Sequence, residues 1–172
     1  MVELTPQERL QPALLDRLAD DEPDKKQEPR ENRVITKNKL RQAVLRDLVW
    51  LFNATKLGSH VDFTGFPFAD RSVINFGLPA LSGETASTLD VIALENAIRQ
   101  AIIDFEPRII HSTLRVEALV TDLELEHHNV VSVQISGNLW AQPIPLELLL
   151  RTEVDLETGQ VEIRDLAKSG IR

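Results

Sequence analysis

The apolar residues of this chain change their spacing at one place, and that place limits the folds open to it. Up to Phe105 they recur every three or four positions, and from Leu114 onward they recur at every second position. The first period belongs to helices buried along one face, the second to half-buried strands. Pro107 stands between the two regimes. It cannot continue a helix and it pushes the residue before it away from helical geometry, so the break is enforced locally. Helices first and strands last, in 172 residues, predict an α+β fold: N-terminal helices followed by an antiparallel sheet of about four strands, in a single domain.

Thr5, Pro6 and Glu8 have the pattern of a helix start, with Thr5 as the cap and Glu8 reaching back. Leu10, Leu14 and Leu18 follow at four-residue spacing with Leu15 beside them, so residues 1–19 read as an amphipathic helix. Residues 20–34 read as a polar flexible linker, because from Asp20 to Arg33 no side chain is worth burying and nothing offsets the entropy of ordering the chain. A tethered helix of this kind either folds back on its own domain or lies in a partner's groove. Residues 35–172 form the main domain. Thr36 caps a second helix running to about Asn53, with Leu40, Val44, Leu48, Leu51 and Phe52 on its apolar face.

Between Lys56 and Ser87 comes a long segment, rich in Gly and Pro, that carries Phe63, Phe66, Phe68 and Phe76. The phenylalanines either pin this loop to the core or form an aromatic docking surface. A third helix is expected from Ser87 or Thr88, through Leu89, Ile92, Ala93, Ala97, Ile98, Ala101 and Ile102 to Phe105. Four strands follow, around 114–120, 131–139, 146–154 and 161–163, with Asp122–Asn129 and Asp155–Gly159 as hairpin connections.

Composition removes several classes of function. With 19 Lys and Arg against 27 Asp and Glu the net charge is -8, which argues against a nucleic-acid partner bound by neutralising phosphates. The chain has no Cys, so a disulfide scaffold, a thiolate zinc site and a Cys nucleophile are excluded. No segment has the apolar length of a membrane span and the first residues lack the pattern of a signal peptide, so the expected compartment is the cytoplasm, with any membrane association made through partners. The glycines form no phosphate-cradling loop, and no cofactor or metal is expected. His127 and His128 lack further ligands at suitable spacing, and Asp155–Gly159 lacks most of a calcium loop; both read as turns.

The informative position is Phe105-Glu106-Pro107-Arg108-Ile109. Arg108 suits the C-terminal end of a helix dipole, whereas Glu106 opposes it, so a local preference is broken between two apolar anchors. Either the Glu106 carboxylate is wanted for a contact, or the segment is a helix stop in which Arg108 pairs with Glu106 and the last carbonyls. Glu28-Pro29-Arg30 repeats the tripeptide in the linker without apolar flanks, so three residues alone are unspecific.

Their order along the chain adds the specificity. Arg46-Asp47-Leu48-x-Trp50-Leu51-Phe52-Asn53, then Asn75-Phe76-Gly77-Leu78-Pro79, then Phe105 to Ile109 and an alternating sheet resemble the lysozyme-like baseplate wedge family of contractile phage tails. The stretch from Arg9 to Pro23 resembles more particularly the TssE branch of that family, found in bacterial type VI secretion systems. The resemblance implies a structural, non-enzymatic baseplate protein that binds the core bundle of the wedge proteins TssF and TssG, sits with TssK in the baseplate, and primes the contractile sheath of TssB and TssC. It implies a partner contact at Glu106, Pro107 and Arg108, to which the apolar stripe of Leu10, Leu14, Leu15 and Leu18 adds a second candidate surface. It places the protein in the cytoplasm beside an apparatus docked at the inner membrane. Phe76 departs from the Tyr that relatives often carry, losing a hydroxyl while keeping the packing. A peptidoglycan-cleaving muramidase and a generic cytoplasmic adaptor are the alternatives.

Overall fold

A computed structural model of the chain describes residues 13–18, 35–81, 90–119, 130–141 and 144–166. Helix α1 spans Leu14–Leu18, α2 Lys37–Phe52, α3 Pro67–Asp70 and α4 Val91–Phe105. Strands β1 Arg115–Leu119, β2 Val130–Leu139, β3 Leu146–Asp155 and β4 Val161–Asp165 follow, in one antiparallel sheet of order β1-β2-β3-β4. The fold is α+β, as the change of period requires. None of the described helices is long and apolar enough to cross a membrane.

Helix α2 begins where its sequence says it should. The Thr36 hydroxyl accepts the Lys39 N–H at 3.2 Å, and Leu40, Val44, Leu48, Leu51 and Phe52 are buried. At its other end Asn53 leaves the helix and spans to the sheet, donating from Nδ2 to the Val161 carbonyl at 2.9 Å and accepting the Val161 N–H at 3.0 Å. Helix α4 starts later than its apolar spacing suggests: the cap is Asp90, whose Oδ1 accepts the Ala93 N–H at 3.0 Å, and not Ser87 or Thr88, which lie outside the described residues together with Leu89. Its inward face is Leu94, Ile98, Ala101 and Ile102, while Ile92 is 69% exposed and Ala93 is also exposed. Residues two positions apart on a helix lie about 200° apart around its axis, so Ile92 stands on the side opposite Leu94 and Ala93 is turned from it by about 100°.

The sheet packs its inner side against α2 and α4. Val131, Val133, Ile135 and Leu139 of β2 and Leu148, Leu150 and Val154 of β3 are buried, in the alternation expected of strands with one covered side. The β3–β4 hairpin turns through Asp155, whose Oδ1 accepts the N–H groups of Glu157 and Thr158, with Gly159 at φ +73°. Hydrogen bonding from the Thr158 side chain, and then from the Thr158 and Glu157 N–H groups, holds the Asp155 carboxyl below its usual range. That stretch is a plain turn. The tethered helix expected over 1–19 is described only from Leu14 to Leu18, and the whole linker 20–34 falls outside the described residues, as does His127–His128.

The segment after α2 divides the four phenylalanines. Phe76 packs edge-on to Phe105, with ring centroids 5.2 Å apart, and joins the core. Phe63 is partly buried, while Phe66 and Phe68 face solvent, Phe68 at 91% exposure. The segment is nonetheless braced. Asn75 is buried and uses its amide fully, accepting the Gly58 N–H at 2.7 Å and donating to the Asp70 carbonyl and carboxylate at 2.8 and 2.9 Å.

Candidate partner-binding site

The end of α4 is where the fold turns from helix to sheet, and the charged residues placed there close into a chain of ion pairs. The Glu106 N–H still reaches back to the Ile102 carbonyl at 2.8 Å, but its backbone has left helical geometry at φ -122° and ψ 76°. Pro107 follows on the surface, and the Ile109 N–H closes the turn onto the Glu106 carbonyl at 3.2 Å. From there the chain pairs with the end of β2: Ile110 donates to the Asn138 carbonyl and Trp140 to the Arg108 carbonyl, with Ile109 and Leu139 buried between them. Ile109 anchors the turn from the core side.

This turn carries the Glu106 side chain inward. The residue is 2% exposed, and its carboxylate accepts from the Arg108 main-chain N–H at 3.1 Å, from Nε at 2.7 Å and from Nη2 at 2.5 Å. Arg108 also donates from Nη2 to Asp47 Oδ2 on α2, at 2.5 Å. Asp47 Oδ1 in turn accepts from Arg46 Nε at 2.9 Å, and Arg46 Nη1 meets Asp16 Oδ1 of α1 at 2.5 Å. Five alternating charges therefore run from the buried end of α4 to the N-terminal helix. Desolvation opposes the charge on Arg108, but Glu106 and then Asp47 outweigh it and hold the guanidinium above its usual range. The same balance, with Asp16 and Asp47 as the anions, raises Arg46.

In the described chain the contact of Glu106 is thus Arg108, and the side chains of this corner that reach the surface are Arg108, Asp47 and Arg46. Among the described residues the Arg108 side chain bonds to the carboxylates of Glu106 and Asp47 and not to the last carbonyls of α4. Of the apolar stripe, Leu14 and Leu18 are 72% and 71% exposed, Leu15 is about half exposed, and Leu10 lies outside the described residues. Asp16, Arg46 and Asp47 were not marked as site residues by sequence reasoning. A weak signal existed, since Arg46 and Asp47 belong to the motif on α2 that carries the resemblance. Among the described residues no group of three or more His, Asp or Glu is placed to hold a metal ion.

A family model described as baseplate wedge protein gp25 matches residues 38–144. The match takes in Asp47, Glu106 and Arg108 and leaves out α1 and strands β3 and β4. No curated protein and no solved structure matches the chain.

Proposed function

The chain belongs to the baseplate wedge protein gp25 family, and on that premise we propose that it is the TssE-type subunit of a type VI secretion baseplate. Membership carries a structural role in a phage-tail-like baseplate, in contact with other baseplate proteins. In the finer reading the chain binds the core bundle of the wedge proteins TssF and TssG, lies beside TssK, and primes the TssB–TssC sheath at the cytoplasmic side of an inner-membrane apparatus. Residues 1–19 serve as an arm, residues 20–34 as its tether, and the leucines of α1 as an added partner contact.

The observation that carries this reading is the braced corner of Glu106, Arg108 and Asp47 inside the matched region. Glu106 aims Arg108, Pro107 fixes the turn, and the guanidinium is presented to the bundle already oriented, which lowers the entropy lost on binding. Co-purification with TssF and TssG tests it. Glu106→Gln and Arg108→Lys preserve size and are expected to retain the fold while capture falls about tenfold or more, since a disrupted interfacial charge pair costs on the order of 2–5 kcal/mol. Wild-type capture by both folded variants would refute the contact.

The sheath-priming half rests on the edges of the sheet. At β1, Glu95 of α4 accepts the Ala118 N–H at 2.7 Å and Arg99 reaches the Leu114 carbonyl at 3.4 Å, so helix side chains already occupy that edge. At β4 the outward N–H and C=O of Val161 are taken by Asn53. By the alternation of an antiparallel ladder the main-chain groups of Ile163 point the same outward way, available to an added strand. Exposed Glu162 and Arg164 keep the outer face wet and limit self-pairing. Ile163→Pro removes an outward donor and no ladder bond, so the expected result is a folded protein that fails to nucleate sheath polymerisation in a reconstituted assay. Normal nucleation by that variant would exclude β4 as the templating edge.

A further inference from the structure

We propose that Arg46 is a partner-facing cation of this corner, that it receives an Asp or Glu carried on a short helix of a baseplate partner, and that Asp16 of α1 fills its place in the free chain. The inference extends the reading of Glu106 and Arg108 as a partner contact and rests on it.

Helix α1 shows what chemistry the position accepts. Its charged contact with the domain is Asp16 Oδ1 on Arg46 Nη1, made while the leucines on either side of it stay exposed. Among the described residues the place is therefore met by a carboxylate borne on a helix whose Leu14, Leu15 and Leu18 stay exposed. Arg46 is also held independently of α1: Nε is bonded to Asp47, and the guanidinium lies over the Trp50 ring, 5.0 Å from its centroid. Asp47 is fixed in turn by Arg108. A cation oriented from behind and stacked on an aromatic face is pre-organised for a carboxylate.

The charges state which sign of partner fits. With α1 seated, Asp16, Asp47 and Glu106 face Arg46 and Arg108; with α1 lifted, two carboxylates face two arginines and one guanidinium edge is open. That vacancy suits another carboxylate. The seat of α1 is also incomplete, because Asp16 Oδ2 and Arg46 Nη2 are buried without a hydrogen-bond partner among the described residues, Nη2 having Asp47 only as an ion-pair neighbour at 2.8 Å. A partner carboxylate that meets the Arg46 fork with two aligned bonds replaces Asp16 with better geometry. Its arrival frees α1, and the leucines with it, for the second contact.

The test is a titration of the full chain with a synthetic peptide copying residues 8–23, followed by the Arg46 Nε–H and tryptophan indole signals in NMR spectra. The peptide contains no Trp, so the indole signals belong to the protein. A chain carrying Asp16→Asn, in which the resident competitor is weakened, is expected to bind the peptide about three- to tenfold more tightly than the wild-type chain. The same peptide with Asp16→Asn, and the chain with Arg46→Gln, are expected to lose that binding, and Arg46→Lys to fall between. Thermal midpoints near that of wild type establish that the variants are folded. Absence of binding to the Asp16→Asn chain, equal affinity for it and for the wild-type chain, or undiminished binding to the Arg46→Gln chain overturns the proposal. The titration contains no wedge protein. Its failure leaves the Glu106–Arg108 reading to its own co-purification, whereas failure of the co-purification removes the partner from the inference and leaves the peptide result as a property of the α1 seat alone.

Discussion

Arg108→Ala is expected to lower the thermal midpoint of the isolated protein by about 10 °C or more. The reason is the position of Glu106, which is buried to 2% exposure and draws two of its three donors from the Arg108 side chain. Removing that side chain leaves a buried carboxylate with a single main-chain N–H, and an uncompensated buried charge of this kind costs about 3–5 kcal/mol. For a chain of this size each kcal/mol moves the midpoint by about 2–4 °C. Glu106→Ala is expected to cost less, because Arg108 keeps Asp47 and stays partly exposed. The order of the two variants is the decisive measurement. If Arg108→Ala melts with wild type, or Glu106→Ala is the worse of the two, Glu106 is solvated in solution and the corner is not built around it.

Gly77→Ala is expected to be comparably severe, by a different mechanism. Gly77 has φ +126°, outside the range open to a side-chain-bearing residue, and a Cβ there would lie 2.2 Å from the Ala54 carbonyl oxygen and 2.9 Å from the Lys56 nitrogen. Those are main-chain atoms of the bridge that joins the end of α2 to Leu78, through Lys56 N–H to Leu78 O and Leu78 N–H to Ala54 O, both 2.8 Å. Backbone has little room to yield, so strain and lost bonds together cost about 3 kcal/mol or more. Gly65 provides the control: it has φ +91° but nothing within 4 Å of an added Cβ, so Gly65→Ala is expected to cost about 1–2 kcal/mol from the backbone alone. Equal denaturant midpoints for the two variants would mean that the bridge at Leu78 gives way easily. A much lower midpoint for Gly77→Ala identifies it as the clamp that carries Phe76 onto Phe105.

Both residues lie in motifs that were legible in the sequence, but what they do was not. The Glu-Pro-Arg tripeptide is marked by a broken preference at a helix end, and this left two contacts for the carboxylate, a partner or Arg108, with no sign of Asp47. Its links run from Arg108 to Asp47, 61 positions earlier, and on to Asp16 at the N-terminal helix. No local rule connects residues so far apart. The four phenylalanines of the segment after α2 show the same limit: they share one Gly- and Pro-rich stretch with no period to sort them, yet Phe76 meets Phe105 while Phe66 and Phe68 face solvent.

What the sequence determined by itself was whatever repeats at short range. The helical and strand periods, the Thr36 cap, the stop at Pro107 and the hairpin at Asp155–Gly159 gave the α+β order and the four strands, because each depends on interactions within a few residues. Tertiary structure decided which parts of those elements are covered. It left Ile92 outside the face of α4, occupied the β1 edge with Glu95, packed Ile163 of β4 against the core, and gathered Asp16, Arg46, Asp47, Glu106 and Arg108 into one ladder. Burial and charge pairing depend on what another part of the chain brings alongside, and a one-dimensional pattern carries no distance between distant residues.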